Sequence, residues 1–276
     1  MGAGFAGPTS EVIDPCSAAT RLQIAGAIYN PSVPARFYAP GARSGQVVAL
    51  PEDEAAHLTR VLRLTAGERV VVFDGRGHEF DATVERAARS EAHVAIGRAR
   101  LALREARVAL TLAQAVLKSD KMDDVVRDAV MMGAAAIQPV VSARSEITLA
   151  ALERGRRRER WQRIAVSSAK QCGRAVVPQV LDPAPFDVVV SPGPLGAAFM
   201  FVEPAAAEDV RPLAAISGAP PEEAAVFIGP EGGWAPEEID RGAQSAHLVT
   251  LGPRTLRADA MAVVALSALF TIWGEF

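Results

Sequence analysis

The chain is poor in metal-binding and redox side chains. Its two cysteines, Cys16 and Cys172, lie far apart and form no Cys-x-x-Cys pair, and its four histidines (His57, His78, His93, His247) show no metal-ligand spacing. No metal site is expected, and Cys172 reads as a small residue on a helix face rather than a nucleophile. No apolar run approaches the ~20 residues that cross a bilayer, and the first residues lack the basic-then-apolar order of a secretory signal. No membrane is therefore expected, and the location is read as cytoplasmic. Neither a P-loop nor Gly-x-Gly-x-x-Gly occurs, which removes the usual nucleotide-phosphate fingerprints, and there is no internal repeat.

What is present is a chain of 276 residues, 50% hydrophobic and 22% charged, long enough to bury one large core or two modest ones. Two domains are the reading. The net charge of −3 argues against a surface coated in basic groups, yet residues 153–174 hold eight of them (Arg154, Arg156, Arg157, Arg158, Arg160, Arg163, Lys170, Arg174) against Glu153 and Glu159. Taking that +6 from −3 leaves about −9 for the remainder. Such polarity can steer a polyanion to one face; a solvated helix is the plainer alternative.

Residues 1–34, rich in Gly, Ala, Ser and Pro, read as a partly disordered extension with a possible short helix at 22–28. Residues 36–104 are mostly strands (46–50, 69–73, 80–85, 92–98), with Asp74-Gly75 a tight turn and a helix opening at Pro51-Glu52-Asp53-Glu54. The expectation is a small antiparallel module at 35–104. Beyond it strands and helices alternate: strands at 108–115, 136–141, 197–202, 224–228 and 248–251, and helices from Ser119 to Gly133, from Leu149 or Gly155 to Gly173, at 208–216, 236–245 and 257–273. That alternation predicts an α/β domain with a mainly parallel sheet over 105–276, joined through a linker at 101–107. Asp74-Gly75-Arg76-Gly77 looks like an acidic glycine loop for a cofactor, but the alternation of residues 79–84 makes a hairpin turn the better reading.

Two glycine-proline loops each follow a buried-strand run: Gly229-Pro230-Glu231-Gly232-Gly233 after 224–228, and Leu251-Gly252-Pro253-Arg254-Thr255-Leu256-Arg257 after 247–251. Both fall at strand carboxyl ends, where open α/β sheets bind ligands, and both precede helices. Arg254 and Arg257 near a helix amino terminus oppose its dipole and hint at an anionic partner. With the ordered upstream segments Arg36-Phe37-Tyr38, 57–63, Phe73-Asp74-Gly75, 118–121, 139–145 and Gln171-Cys172-Gly173-Arg174, these loops resemble the 16S ribosomal RNA uridine N3-methyltransferases, a family of the SPOUT class, over residues 35–276.

The resemblance implies a PUA-like RNA-binding β-barrel followed by a trefoil-knotted methyltransferase domain that uses S-adenosyl-L-methionine and works as a homodimer on 16S ribosomal RNA of the small subunit. It places the cofactor against Ile228, Gly229, Pro230, Glu231, Gly232, Leu251, Gly252, Arg254 and Leu256, and RNA against Arg36, Arg60, Arg63, Lys118, Lys121 and Arg174. Arginine stays protonated, so Arg257 or Arg254 suits charge developing on uracil oxygens, while Asp259 or Glu231 suits the N3 proton. The chain departs from its relatives where Ala258-Asp259-Ala260 replaces Thr-Glu-Thr, and where Met131 and Ser167 replace glutamates. A non-catalytic ribosome-assembly factor is the rival reading; a nucleotide-dependent enzyme of another class lacks its fingerprint.

Overall fold

The first sheet of the computed structural model is built from short apolar runs that can each bury one face. The structure describes residues 34–88, 91–190, 196–204, 206–207 and 209–276; the expected extension, its helix at 22–28 and Cys16 lie outside them. Strands β1 (Arg36–Tyr38), β2 (Val47–Ala49), β3 (Arg69–Phe73), β4 (Glu79–Ala88) and β5 (Glu91–Arg100) form a sheet in the order β1-β3-β4-β5-β2. Every neighbouring pair is antiparallel except β1 with β3, which is parallel, so the module is mixed rather than wholly antiparallel. Helix α1 (Glu52–Ala56), continued by a π turn over His57–Val61, caps it through Ala55 and Leu58, both fully buried with Phe37, Val72 and Val94.

The second sheet is parallel throughout. Its strands are β6 (Ala109–Ala115), β7 (Ala136–Val141), β8 (Gln179–Val180), β9 (Ala184–Pro185), β10 (Ala197–Phe201), β11 (Arg211–Pro212), β12 (Glu223–Ile228) and β13 (His247–Thr250). They lie in the order β11-β13-β10-β12-β6-β7-β8, with β9 also on β7. Near-continuous apolar sequence in β6, β10 and β12 is what a strand covered on both faces requires. One face packs under α2 (Lys121–Met132), α4 (Arg157–Cys172) and α7 (Ala258–Ile272), around Leu112, Val126, Trp161, Val226 and Leu266; the other packs against Phe186 of α5 (Phe186–Val189) and Ile239 of α6 (Pro236–Gly242).

Several local expectations need correcting. Ser119 is not the cap of α2: Asp120 holds that position, while Ser119 adopts φ 55° just before it. Of the two expected starts for the helix ending at Gly173, the one at Gly155 holds within two residues: α4 is separate from α3 (Leu149–Arg154), the chain breaking at Gly155 and at Arg156 in the left-handed region (φ 46°). No α-helix forms over the described part of 208–216; Arg211–Pro212 adds an edge strand and Leu213–Ala215 a single 3-10 turn, with Pro212 at the junction unable to donate a helical hydrogen bond. The segment 101–107 is irregular as expected, but it is no loose hinge. Glu105 pairs with Arg174, Arg107 pairs with Glu275, and residues 34–276 form one compact unit.

Candidate active site

Strands β13, β10 and β12 are neighbours in that order and all run the same way, so their carboxyl ends open side by side. The chain leaving each turns back toward the others and encloses a cavity of about 330 Å³. Its walls are Phe201 at the end of β10 with Val202, Glu203 and Pro204 after it; Gly229, Pro230, Glu231, Gly233 and Trp234 after β12; and Leu251, Arg254, Thr255, Leu256 and Arg257 after β13. Lys121, Ala206, Ile228, Ile239, Thr250, Ala258 and Met261 complete it. A mostly apolar recess with a few placed charges is the usual build of a small-molecule site.

Trp234 sets the floor. Its indole N–H donates to the Phe201 carbonyl at 3.1 Å, tying the loop after β12 to the end of β10, and its ring packs on Phe186 at 5.0 Å between centroids. A Cβ at Gly229 would come within 3.2 Å of that indole nitrogen, so the glycine is what lets the chain run against the ring. Gly233 takes φ 68°, the left-handed region that glycine enters without strain, with the Glu203 carboxylate 3.2 Å from where a Cβ would stand. Behind the loop, the fully buried Gln114 on β6 donates its amide to the Ala115 carbonyl at 3.0 Å and lies 3.5 Å from the carbonyls of Ile228 and Gly229.

Glu231 stands at the mouth and accepts from Lys121 Nζ at 2.9 Å and from the Lys118 backbone N–H at 3.2 Å. Burial pushes its carboxyl up, but the Lys121 ammonium and the backbone N–H groups outweigh it and hold it below its ordinary range. Arg257, at the N-cap of α7, gives Nε to Asp259 Oδ1 at 3.1 Å and Nη2 to Oδ2 at 2.8 Å. That guanidinium holds the Asp259 carboxyl down as well. Both carboxylates are therefore ionised and engaged, which makes them weak proton acceptors.

The RNA methyltransferase domain model matches residues 104–270, and the RNA methyltransferase PUA domain model matches residues 50–97. A ribosomal RNA small subunit methyltransferase E of Mycobacterium tuberculosis is 32% identical over 242 residues, 82% of this chain and 87% of its own. The chain belongs to the small-subunit RNA methyltransferase E family. Among solved structures of similar proteins, a Legionella pneumophila methyltransferase in complex with bound SAM superposes with a TM-score of 0.79 at 30% identity, covering 86% of this chain and 97% of the other. A Neisseria gonorrhoeae ribosomal RNA small subunit methyltransferase E bound to S-adenosyl methionine gives 0.78 at 30% identity, covering 87% and 98%.

Within this methyltransferase the residues singled out from sequence divide sharply. Ile228, Gly229, Pro230, Glu231, Leu251, Arg254, Leu256 and Arg257 share one cavity. Gly232 and Gly252 do not line it: the Gly232 carbonyl accepts from Arg144 at 2.7 Å, and that of Gly252 from the Thr250 hydroxyl at 3.3 Å. Asp259 is outside the wall, turned to Arg257. Lys121, expected to touch RNA, is part of the cavity, and Lys118 pairs with Glu146 at 2.5 Å.

Arg36 and Arg174, expected to touch RNA, are engaged inside the protein. Arg36 pairs with Glu79 at 2.7 Å, donates to the carbonyls of Ala169 and Arg174, and stacks over Phe73, binding the PUA-like module to α4. Arg174 is 5% exposed, paired with Glu105 and donating to the carbonyls of Val130 and Ala134. Lys170 is likewise held internally by Glu54, whereas Arg160 pairs with Asp120 and Asp123, and Arg158 with Asp182, on the exposed surface. Arg60 and Arg63 remain on the exposed surface of the module. Met131 and Ser167 are both exposed, so the missing glutamates there leave no buried polar link to break.

Sequence reasoning missed Phe201, Glu203, Trp234, Thr250 and Met261. A strand ending in Val202-Glu203-Pro204 carried the same strand-end signal as its neighbours, but only the sheet order shows that it lies between them.

Proposed function

We propose that this chain transfers the methyl group of S-adenosyl-L-methionine to N3 of a uridine in the 16S ribosomal RNA of the small subunit. One observation carries the reading: Glu231 and Arg257, 26 residues apart in the chain, stand on the wall of a single cavity at three adjoining strand ends. The cavity fits the cofactor's chemistry. Phe201, Ile228, Trp234 and Leu251 suit an adenine and a thioether chain, while the carboxylates of Glu203 and Glu231 suit hydroxyl, amine and sulfonium groups. When bound, the cofactor supplies an electrophilic methyl group.

The chain's own task is to favour a uracil anion. With Glu231 and Asp259 both ion-paired and held low, the N3 proton leaves to solvent water, and the site works by placing cations that stabilise the uracil anion left behind. Asp259 occupies Nε and one Nη of Arg257 and leaves the remaining N–H groups for an oxygen of the base. Asp259 is thus a positioning residue in this chain, and Arg254 on the same wall adds a second cation. A uracil in a ribosomal loop reaches such a cleft by unstacking rather than through a duplex groove. The reading extends to a homodimer, to a trefoil knot completed by α7, and to the cytoplasm as the site of action; no helix among the described residues is long and apolar enough to cross a membrane.

The test is methyl transfer to undermethylated small subunits with labelled S-adenosylmethionine, with the product nucleoside identified by mass spectrometry. N3-methyluridine is expected. Methyl on a ribose or a cytosine overturns the base assignment, and saturable RNA binding without transfer favours a non-catalytic assembly factor.

A further inference from the structure

Arg36, Arg174 and Lys170 are engaged inside the protein, while the PUA-like module carries exposed arginines elsewhere. A second cavity, of about 600 Å³, lies on that module between the turn after β1 and the turn joining β3 to β4, lined by Arg43, Gln46, Asp74, Arg76, His78 and Phe80. Arg43 and Arg76 are exposed, and no carboxylate pairs with either among the described residues. The one carboxylate in the wall is already spent. Asp74, 7% exposed, accepts the N–H groups of Arg76 and His78 at 2.7 and 3.1 Å and the His78 Nδ1 at 2.7 Å.

That arrangement fixes more than a turn. With Nδ1 committed to Asp74, the imidazole is held in one orientation, its side chain 69% exposed and its Nε2 free to meet a ligand. Two unpaired guanidiniums, a held imidazole and the Gln46 amide present planar donors to phosphate oxygens and flat faces to a base. Resting on the function proposed above, we infer that this cavity takes one nucleotide of a single-stranded RNA segment, its phosphate on Arg43 and Arg76 and its base against His78.

The contact is an anchor, remote from methyl transfer. Gly75 in the same turn bridges Val176, just before β8, whose Gln179 pairs with Ala136 at the amino end of β7. The turn therefore sits beyond the amino ends of the parallel strands, while the cofactor-shaped cavity sits at their carboxyl ends, about 20 Å away for a six-residue strand. An anchor at that distance changes RNA affinity and KM rather than the chemical step.

The test compares R43A/R76A, R43K/R76K and H78A with wild type in the full chain. Measured are small-subunit RNA binding across a salt series, methyl-transfer kinetics, S-adenosylhomocysteine affinity and thermal midpoint. Expected for R43A/R76A are RNA binding and KM weakened about tenfold or more, a log K against log salt slope shallower by about 1.4, and unchanged kcat and cofactor affinity. The lysine pair should restore the slope, and H78A should weaken binding without changing it. An R43A/R76A protein that melts as wild type yet binds RNA with the same affinity and slope overturns the inference. So does equal competition by uridine monophosphate, which would make the cavity a free-nucleotide site. Absence of any methyl transfer by wild type is a different failure, that of the proposed function.

Discussion

Replacing Gly229 by alanine sets two opposed effects against each other, and the structure decides the sign. In a chain with no constraint at this point the change should stabilise by roughly 0.4–1 kcal/mol, because alanine has fewer unfolded conformations and Gly229 does not need the left-handed region. Here the new Cβ lies 3.2 to 3.4 Å from three atoms of the Trp234 ring. The ring has little room to yield, being 5% exposed, packed on Phe186 and tied to the Phe201 carbonyl. Overpacking of this kind costs about 1–3 kcal/mol, and a stretched buried hydrogen bond adds about 1 kcal/mol. The net expectation is a loss of about 1–3.5 kcal/mol, or roughly 3–10 °C in Tm for a unit of this size. Because the displaced ring is also a cavity wall, S-adenosylhomocysteine should bind about tenfold more weakly by calorimetry. A variant that melts higher than wild type with undiminished affinity would refute the claim that Trp234 is fixed and sets the floor of the site.

Other expectations concern charge. R257A should lower kcat by about 10²-fold with little change in cofactor affinity, whereas D259A, which only releases the guanidinium, should cost less than tenfold; a larger loss in D259A would make Asp259 the proton acceptor. E105A strands the Arg174 guanidinium, 6% exposed, and should destabilise by about 3 kcal/mol in urea melts, with R174M costing less than that because no buried charge is left behind. Acid should act in two stages. Burial and the nearby Lys170 ammonium lower the His57 pKa from its ordinary 6.5, and Glu231, Asp74 and Asp259 are lowered from 4.5, 3.8 and 3.8. In each case the folded state binds fewer protons than the unfolded one, so stability is full above the ordinary value and is lost as pH falls through the lowered one. Urea midpoints should decline gently from pH 6.5 and steeply below pH 4.5, and H57Q should remove the first limb only.

The parallel sheet was legible because apolar strand runs and helical periods alternate from residue 105 onward, and β7 and the site strands fall within a residue or two of their expected bounds. The two loops with Glu231 and Arg257 were legible for the same reason, since strand ends in such a sheet are where chain can approach a ligand. What escaped depended on the third dimension. Glu203 and Trp234 join the site because β10 lies between β12 and β13, an order no local pattern records. Arg36 and Arg174 looked like surface cations because arginine usually is one; their burial rests on Glu79 and Glu105, each about 40 to 70 positions away in the chain. The helix expected near 208–216 is an edge strand at Arg211–Pro212 that pairs with β13, a tertiary contact no local pattern records.

The most direct measurement is a crystal structure of this chain with S-adenosylhomocysteine. The account predicts the ligand enclosed between residues 229–234 and 251–257, its adenine within reach of Leu251 and Trp234 and its sulfur turned toward Arg257. Ligand density anywhere else, or none at saturating concentration, would contradict it.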